Sequence, residues 1–366
     1  MEAVEPGILF TVTLFLLLLS ILVFVHEWGH YIVARMFKTR VEVFSIGFGK
    51  EIFGWTDKSK TRWKISMVPL GGYVKFFGDA NAISNPEKAL AKMSPEDRDS
   101  CFHFKPIWQR MLIVAAGPVI NFLFAILLFA GLFTINGQLV DEPLIGNVSE
   151  DGAAYQAGLQ SGDRIFSYQG QEITTFQELR ELVITSPGEE LDFQVLRNGE
   201  EFSLTVVPAP TEIKDATGAV VIEGRLGIEG KIQHNVFSAV VRGTTFTYDV
   251  TLQFFEFFGR MFRGDVSLDE MGGPVKIAQI TGQAGSQGVP SYIYIMALIS
   301  INLGFINLLP IPLLDGGHLL FYSIEAIKGK PISVRAQELA SMLGLAFVLG
   351  LLFVLTWNDL NLPGLS

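Results

Sequence analysis

Cysteine is nearly absent: Cys101 stands alone among 366 residues. A single cysteine excludes an internal disulfide framework and a cysteine-ligated metal cluster. Charge is scarce as well. Asp, Glu, Lys and Arg make up 17% of the chain, against about 25% in an ordinary water-soluble domain. The charge that is present leans acidic, to a net of −10, which excludes a general nucleic-acid-binding surface. No repeat of fixed period and no low-complexity tract breaks the chain. In their place stand long apolar runs: 49% of residues are hydrophobic and Phe alone occurs 30 times. That composition is expected of a membrane protein.

A helix needs roughly 20 predominantly apolar residues to cross a bilayer. Four segments qualify: about Gly7 to Phe37, Ile107 to Phe133, Tyr292 to Leu309, and Leu339 to Trp357. The expected fold class is therefore membrane α-helical, with four transmembrane helices. The first segment is read as a retained helix and not a cleaved signal, because Glu2 and Glu5 precede it and no small-residue cleavage site follows its apolar part. Twelve Lys and Arg residues lie between Lys38 and Lys105, and Lys328, Lys330 and Arg335 lie between the last two spans. By the positive-inside rule both loops are cytoplasmic. Both termini and the long 136–290 segment are then outside, which in a bacterium is the periplasm, and the chain sits in the inner membrane.

The resulting division is 1–37, the first span; 38–106, a cytoplasmic loop with a membrane-associated β region; and 107–135, the second span. It continues with 136–230, a periplasmic domain; 231–290, a periplasmic amphipathic helical segment; 291–324, the third span; and 325–366, a cytoplasmic loop, the fourth span and a tail. Within the loop, Val41-Glu42-Val43-Phe44 and Trp63-Lys64-Ile65-Ser66-Met67 alternate like short strands, broken at Gly47, Gly49, Gly71 and Gly72. The periplasmic domain reads as strands at Leu144–Val148, Arg164–Tyr168, Glu190–Leu196 and Glu201–Val207, with helices at Ala153–Ala157 and Thr175–Val183. Asn235 to Arg263 reads as one or two amphipathic helices lying on the membrane surface.

The first span carries His26-Glu27-Trp28-Gly29-His30. His26 and His30 are four residues apart, so on a helix they share a face and can ligate one zinc ion. Glu27 can take a proton from a metal-bound water, whose pKa zinc lowers to about 7. The competing reading is a chance pattern at an interfacial helix end. Three ionisable groups on one turn, after the largely apolar Ile8–Val25 run, speak against it, because such groups are costly at that depth. A catalytic zinc needs a third protein ligand and one open position. Asn307-Leu308-Leu309-Pro310-Ile311-Pro312-Leu313-Leu314-Asp315-Gly316-Gly317-His318 closes the third span. Its prolines break the helix and its glycines admit a close backbone approach. Asp315 and His318 are both candidate ligands, and Asp315 can alternatively serve as a helix cap.

These two motifs together resemble the site-2 protease family of intramembrane zinc metalloproteases, and most closely its bacterial members. In that family the first motif is H-E-x-x-H and the second is N-x-x-P-x-x-x-L-D-G, met here by Asn307, Pro310, Leu314, Asp315 and Gly316. The resemblance implies zinc on His26, His30 and Asp315, Glu27 as general base, and Asn302 and Asn307 holding an unwound substrate segment. Ser45–Gly49 and Pro69–Lys75 resemble the family's membrane-associated β region. Gly71, Gly72 and Tyr73 then belong to an edge that pairs with substrate. Ala116–Phe122 is similar to its second-span signature and Gly272–Val275 to a segment before its third span. Ala157–Ile165 resembles a PDZ domain, with Leu226, Gly227 and Ile228 as a peptide-carboxylate-binding strand in a circularly permuted arrangement. One PDZ-like unit is found, where well-known relatives carry two.

The resemblance implies regulated intramembrane proteolysis of single-pass membrane proteins of the anti-sigma-factor type, or of remnant signal peptides, after another protease has trimmed the ectodomain. The PDZ-like unit would take a peptide C-terminus or ectodomain stub, or act as a rigid spacer. The expected surroundings are the lipid bilayer, with no nucleic acid. Three rival classes remain: a transporter using His, Glu and Asp as an ion path, an inactive PDZ membrane scaffold, and a zinc enzyme with a soluble substrate.

Overall fold

The computed structural model describes residues 6–78, 93–214, 220–265 and 272–361. The chain divides into two compact units, one made of residues 1–132 and 240–366 and the other of residues 133–239. The first unit opens with α1 (Ile8–Met36), a Leu-rich helix that can satisfy every backbone group internally, as a lipid environment demands. It stops at Phe37, whose carbonyl accepts from Lys105 Nζ at 2.8 Å, and at Lys38, which turns the chain with φ +56°. Strands β1 (Val41–Thr56) and β2 (Arg62–Phe76) pair antiparallel. They fold back on themselves, so that Phe44, Ser45 and Ile46 lie between Trp63–Ile65 on one side and Gly72–Val74 on the other. The 72–76 stretch is thereby left as an edge.

Aromatic rings fasten this sheet to α1. Phe44 stacks on Trp63 at 4.4 Å, and Tyr31 of α1 meets Trp63 edge-on at 5.1 Å and Phe44 at 5.9 Å. The turn between the strands is held by Asp57, which accepts from Ser59 N at 2.8 Å and from Thr61 N and Trp63 Nε1 at 2.9 Å. Burial pushes the Asp57 pKa up, but these hydrogen bonds outweigh it and hold the carboxyl below the usual range. Phe48, Ile52, Phe53, Ile65 and Met67 stay exposed along the strands, a surface that suits lipid better than water. A short helix α2 (Pro95–Ser100) leads to α3 (Ile107–Asn136), which carries Pro118 inside it.

In the second unit β3 (Gln138–Leu139) is followed by β4 (Ile145–Val148), α4 (Ala153–Ala157), β5 (Arg164–Tyr168), β6 (Gln171–Glu172), α5 (Phe176–Thr185), β7 (Leu191–Arg197) and β8 (Glu200–Val206). Within this stretch β4, α4, β5, α5, β7 and β8 agree with the sequence reading to within one or two residues at each end, whereas the two-residue β6 is not foreseen. Beyond β8 lie β9 (Ala209–Lys214), β10 (Val220–Arg225), β11 (Ile228–Gly230) and β12 (Ile232–Gln233). The β9–β10 hairpin is not foreseen from sequence, because Pro208 and Pro210 mask its alternation. The main sheet has the order β6-β5-β7-β8, and β11 pairs with β4. The core is a single cluster including Ile145, Leu159, Ile165, Leu179, Leu191, Phe193, Val195 and Leu226. Asp163, fully buried, accepts two 2.7 Å bonds from Arg197. Thr175 and Glu178 form a capping box that starts α5.

The first unit resumes with α6 (Val236–Arg263), α7 (Pro274–Gln287), α8 (Val289–Leu308), α9 (Asp315–Lys328) and α10 (Val334–Asn361). Among the described residues four helices are long and apolar enough to cross a membrane: α1, α3, α8 and α10. Among its described residues the 231–290 segment holds β12 and the helices α6 and α7, and α7 packs on α1, with Gly282 against Thr11 and Gly285 against Leu14. The Asp359 carboxylate of α10 closes the α7 N-terminus, accepting from Gly273 N at 2.9 Å and from Val275 N and Lys276 N at 3.0 Å. The expected 291–324 span is likewise two helices, α8 and α9, parted by a turn over residues 309–314.

Phe193, with no exposed surface, fills the centre of the second unit. Phe193→Ala is expected to cost that unit about 3–5 kcal/mol. Amide exchange of the β7 and β8 core in the full-length protein should accelerate by the corresponding factor, and unchanged protection would show that the core is centred elsewhere.

Candidate metal centre

The site is assembled where α1 and α3 come closest. A Cβ on Gly29 would strike the Ala116 carbonyl, and one on Gly117 would overlap the His30 ring and stand 2.9 Å from His26 Cε1. Only glycine at both positions lets the helices approach with two imidazoles between them. His26 and His30 are 8% and 7% exposed, so water does little to solvate them and their partners must be supplied by the protein.

Those partners fix which nitrogen faces inward. His30 Nδ1 lies 2.9 Å from the Ile113 carbonyl oxygen. A carbonyl only accepts, so Nδ1 carries the proton and Nε2 presents a lone pair. His26 Nδ1 lies 3.0 Å from the Asn121 amide nitrogen, while Asn121 Oδ1 is buried without a partner. Half a turn of the amide satisfies both: Oδ1 then accepts from His26 Nδ1–H, and His26 Nε2 is also a lone-pair donor. Ser300 of α8 donates to the Asn121 backbone carbonyl at 2.8 Å and ties the third span to the same place.

The third span supplies the carboxylate. After α8 the chain leaves the helix at Leu309, passes Pro310 and Pro312, and adopts φ +99° at Leu313, a strained value for a non-glycine residue. It re-enters helix at Asp315. A Cβ on Gly316 would run into the carbonyls of Leu308 and Leu309, and one on Gly317 into that of Ile311. The two glycines therefore let the turn fold tightly enough to bring Asp315 inward. Leu314, not Asp315, is the N-cap of α9, and it makes no side-chain cap bond. The Asp315 carboxylate instead reaches the histidines.

His26 Nε2 and His30 Nε2 are 3.2 Å apart. Asp315 Oδ2 lies 3.1 Å from the first and 3.5 Å from the second. Tetrahedral zinc with bonds of about 2.0–2.1 Å separates its ligands by roughly 3.3 Å, so the triangle has the size of one tetrahedral face. Two inward lone pairs at this distance repel unless a cation lies between them. Asp315 Oδ2 is buried and accepts no well-formed hydrogen bond. The residues present fit zinc, and among the described residues they are the one group with such convergence. His318, the other candidate, packs instead toward Phe321 and Tyr322.

Glu27 follows His26 and faces the sheet. The backbone of Val74 offers it an N–H, and a Cβ on Gly72 would stand 3.3 Å from Glu27 Cγ. The edge formed by Gly71, Gly72 and Tyr73 is thus beside the acid–base candidate, with Gly71 at φ +136° and the Tyr73 ring stacked on Phe48 at 6.2 Å. Asn302 and Asn307 are half-buried on α8, and among the described residues their side chains make no hydrogen bond. They are not part of the triangle. Leu226, Gly227 and Ile228 belong to the 133–239 unit. There Leu226 is buried, Gly227 has φ +75°, and Ile228 pairs with Val148. Gly224 abuts the Val183 carbonyl and Gly230 the Phe176 ring, so this stretch runs along α5. Gly117 and Asn121 lie in the Ala116–Phe122 stretch that resembles the family's second-span signature, but the sequence assigned neither a role.

A family model described as peptidase family M50 matches residues 14–351. The Agrobacterium fabrum protein named "Putative zinc metalloprotease Atu1380" is 44% identical over 356 residues, covering 95% of this chain and 94% of that protein. Metalloprotease MmpA of Caulobacter vibrioides is 35% identical over 384 aligned positions, covering 97% and 96%. Among solved structures, the PDZ domain of the SdrC-like protein Lin2157 of Listeria innocua is 22% identical with a TM-score of 0.20, covering 26% of this chain and 98% of that one.

Removing the Asn121 amide frees the His26 ring to rotate. Asn121→Ala is expected to weaken zinc binding about 10–100-fold, and Gly117→Ala more, because its methyl group displaces the His30 ring. Competition with a chromogenic chelator measures both, and wild-type affinity in Asn121→Ala would remove Asn121 from the centre.

Proposed function

Because the chain belongs to peptidase family M50 and is a zinc metalloprotease, we propose that it cuts single-pass membrane proteins within the bilayer, with His26, His30 and Asp315 holding zinc and Glu27 as general base. The observation that carries this reading is the ligand triangle, built from a membrane-length helix and the broken end of another. Zinc, when bound, polarises a scissile carbonyl and makes water nucleophilic near neutral pH. Ile113 and Asn121 keep both histidine Nε2 atoms as donors throughout. Glu27, adjacent to the ligands but not among them, accepts the proton of the attacking water and delivers it to the leaving amide nitrogen. The edge at Gly71, Gly72 and Tyr73 pairs with extended substrate backbone and holds the scissile bond at Glu27. Asn302 and Asn307 hydrogen-bond the unwound segment.

The substrates are of the anti-sigma-factor type, or remnant signal peptides, and they arrive with the ectodomain already trimmed. The 133–239 unit acts as a PDZ domain, taking a peptide C-terminus or ectodomain stub beside Leu226, Gly227 and Ile228 by strand addition. Support comes from Gly224 and Gly230, which flank these residues and lie against Val183 and Phe176 of α5. The protein lies in the bacterial inner membrane, with the basic loops cytoplasmic and both termini and the PDZ unit periplasmic; the Lys and Arg concentrated in those two loops support this orientation.

Cleavage of a tagged single-pass membrane protein by purified enzyme in proteoliposomes tests the reaction. Glu27→Gln should lower turnover about 10²–10⁴-fold while zinc content stays at the wild-type level. Turnover at the wild-type rate in Glu27→Gln would overturn the assignment of Glu27, and cutting outside the membrane segment alone would overturn the intramembrane reading.

A further inference from the structure

Arg110 and Glu325 form an ion pair away from the reacting centre. Arg110 is 9% exposed. Its Nη2 donates to Glu325 Oε1 at 2.6 Å and its Nη1 to Oε2 at 3.2 Å. Its Nε donates to the Lys105 carbonyl at 3.2 Å, and the guanidinium lies 4.8 Å from the Tyr322 ring centroid. Each of its three nitrogens therefore donates a hydrogen bond, and an aromatic ring lies beside the guanidinium. A bidentate fork fixes orientation as well as distance.

The two partners sit on the two helices that determine the ligand triangle. On α3, Arg110, Ile113, Gly117 and Asn121 follow at spacings of three, four and four, which places them along one stripe. Ile113 and Asn121 orient His30 and His26, and Gly117 admits both rings. On α9, Asp315 is the first residue and Glu325 is ten residues on, about 15 Å along the helix. Between them, Leu319 and Tyr322 pack against the apolar cluster that includes Ala34 and Ile113. Apolar burial is non-directional, whereas a bidentate ion pair fixes direction and register. Beyond Glu325 the helix is exposed.

We propose that the Arg110–Glu325 pair is a positioning device: it locks α9 in register with the stripe on α3, and so holds Asp315 at ligand distance from histidines that the same stripe orients. The inference rests on the ligand set given above. Arg110 and Glu325 touch neither metal nor substrate, and they act on zinc only through Asp315.

The test uses full-length protein in detergent, with two readouts: zinc affinity by chelator competition and the visible d–d spectrum of the cobalt(II)-loaded form, which reports ligand geometry. Arg110→Gln and Glu325→Gln should each lower zinc affinity about tenfold or more. Glu325→Asp keeps the charge but shortens the arm by one methylene, so it should fold, shift the cobalt spectrum and weaken zinc less than Glu325→Gln does. The exchange Arg110→Glu with Glu325→Arg should recover part of the loss that either single change produces. Should the Gln variants fail to fold, Glu325→Asp and the exchange decide alone. Variants that melt at lower temperature yet keep wild-type zinc affinity and cobalt spectrum would make the pair merely structural and overturn the proposal. A wild-type protein that binds no zinc would overturn the ligand set and this inference with it. A wild type that binds zinc beside indistinguishable variants would overturn this inference alone.

Discussion

The close approach of α1 and α3 at Gly29 and Gly117 is the constraint on which the rest of the centre depends. Two imidazoles removed from water need hydrogen-bond partners on the side away from the metal, or their burial is too costly. Those partners, Ile113 and Asn121, are on α3. They reach the rings only because neither helix carries a side chain at the crossing. Glycine in a helix normally weakens it by roughly 1 kcal/mol. Here that cost is offset by the donor geometry, which larger residues would exclude.

The carboxylate arrives by the opposite strategy. Where α1 and α3 are regular, the third span is broken on purpose at residues 309–314. Backbone outside a helix at membrane depth is tolerated only when buried in protein or lining a polar cavity. The turn meets part of that demand itself: Ile311 N donates to the Leu309 carbonyl at 2.7 Å and Leu314 N to that of Ile311 at 3.1 Å. The strained Leu313 is a further cost, set by having to bring Asp315 to face the histidines within one short turn. Gly344 of α10 packs against the Pro312 backbone, so the fourth span supplies the protein cover.

The four spans, strands β4, β5, β7 and β8 of the second unit and the histidine pair were legible in the sequence, each for a separate reason. Apolar length announces a span, alternation announces a strand, and histidines four apart in an apolar run have few other uses. Asp315 and His318 could not be told apart by pattern, because both follow the prolines. Only the path of the turn decides, sending the Asp315 carboxylate to the histidines while His318 lies one helical turn further along. The role of Asn121, and the Arg110–Glu325 pair altogether, were not legible for a different reason. Their meaning lies in contacts across 95 and 215 residues of chain, and no local spacing encodes those. The division of 291–324 into two helices was half legible: the prolines mark the break, but not the fact that Gly316 and Gly317 allow a new helix to start at once.

In the proposed reaction the substrate helix must unwind before its peptide bond can be cut. A helical substrate hides its peptide bonds behind its own hydrogen bonds, and an unwound one exposes N–H and C=O groups whose burial without partners costs several kcal/mol each. Unwinding must therefore be coupled to new partners close to the metal. The 72–76 edge offers a row of backbone groups directly beside Glu27, and the adjoining glycines keep that edge free of bulk where it meets α1. Because a Cβ on Gly72 would stand only 3.3 Å from Glu27 Cγ, a strand added there under the proposed reaction would meet the base in an extended state. In that proposal the penalty of unwinding and the alignment of the scissile bond are handled by the same contact, so a substrate that cannot extend along this edge would be neither stabilised nor aligned.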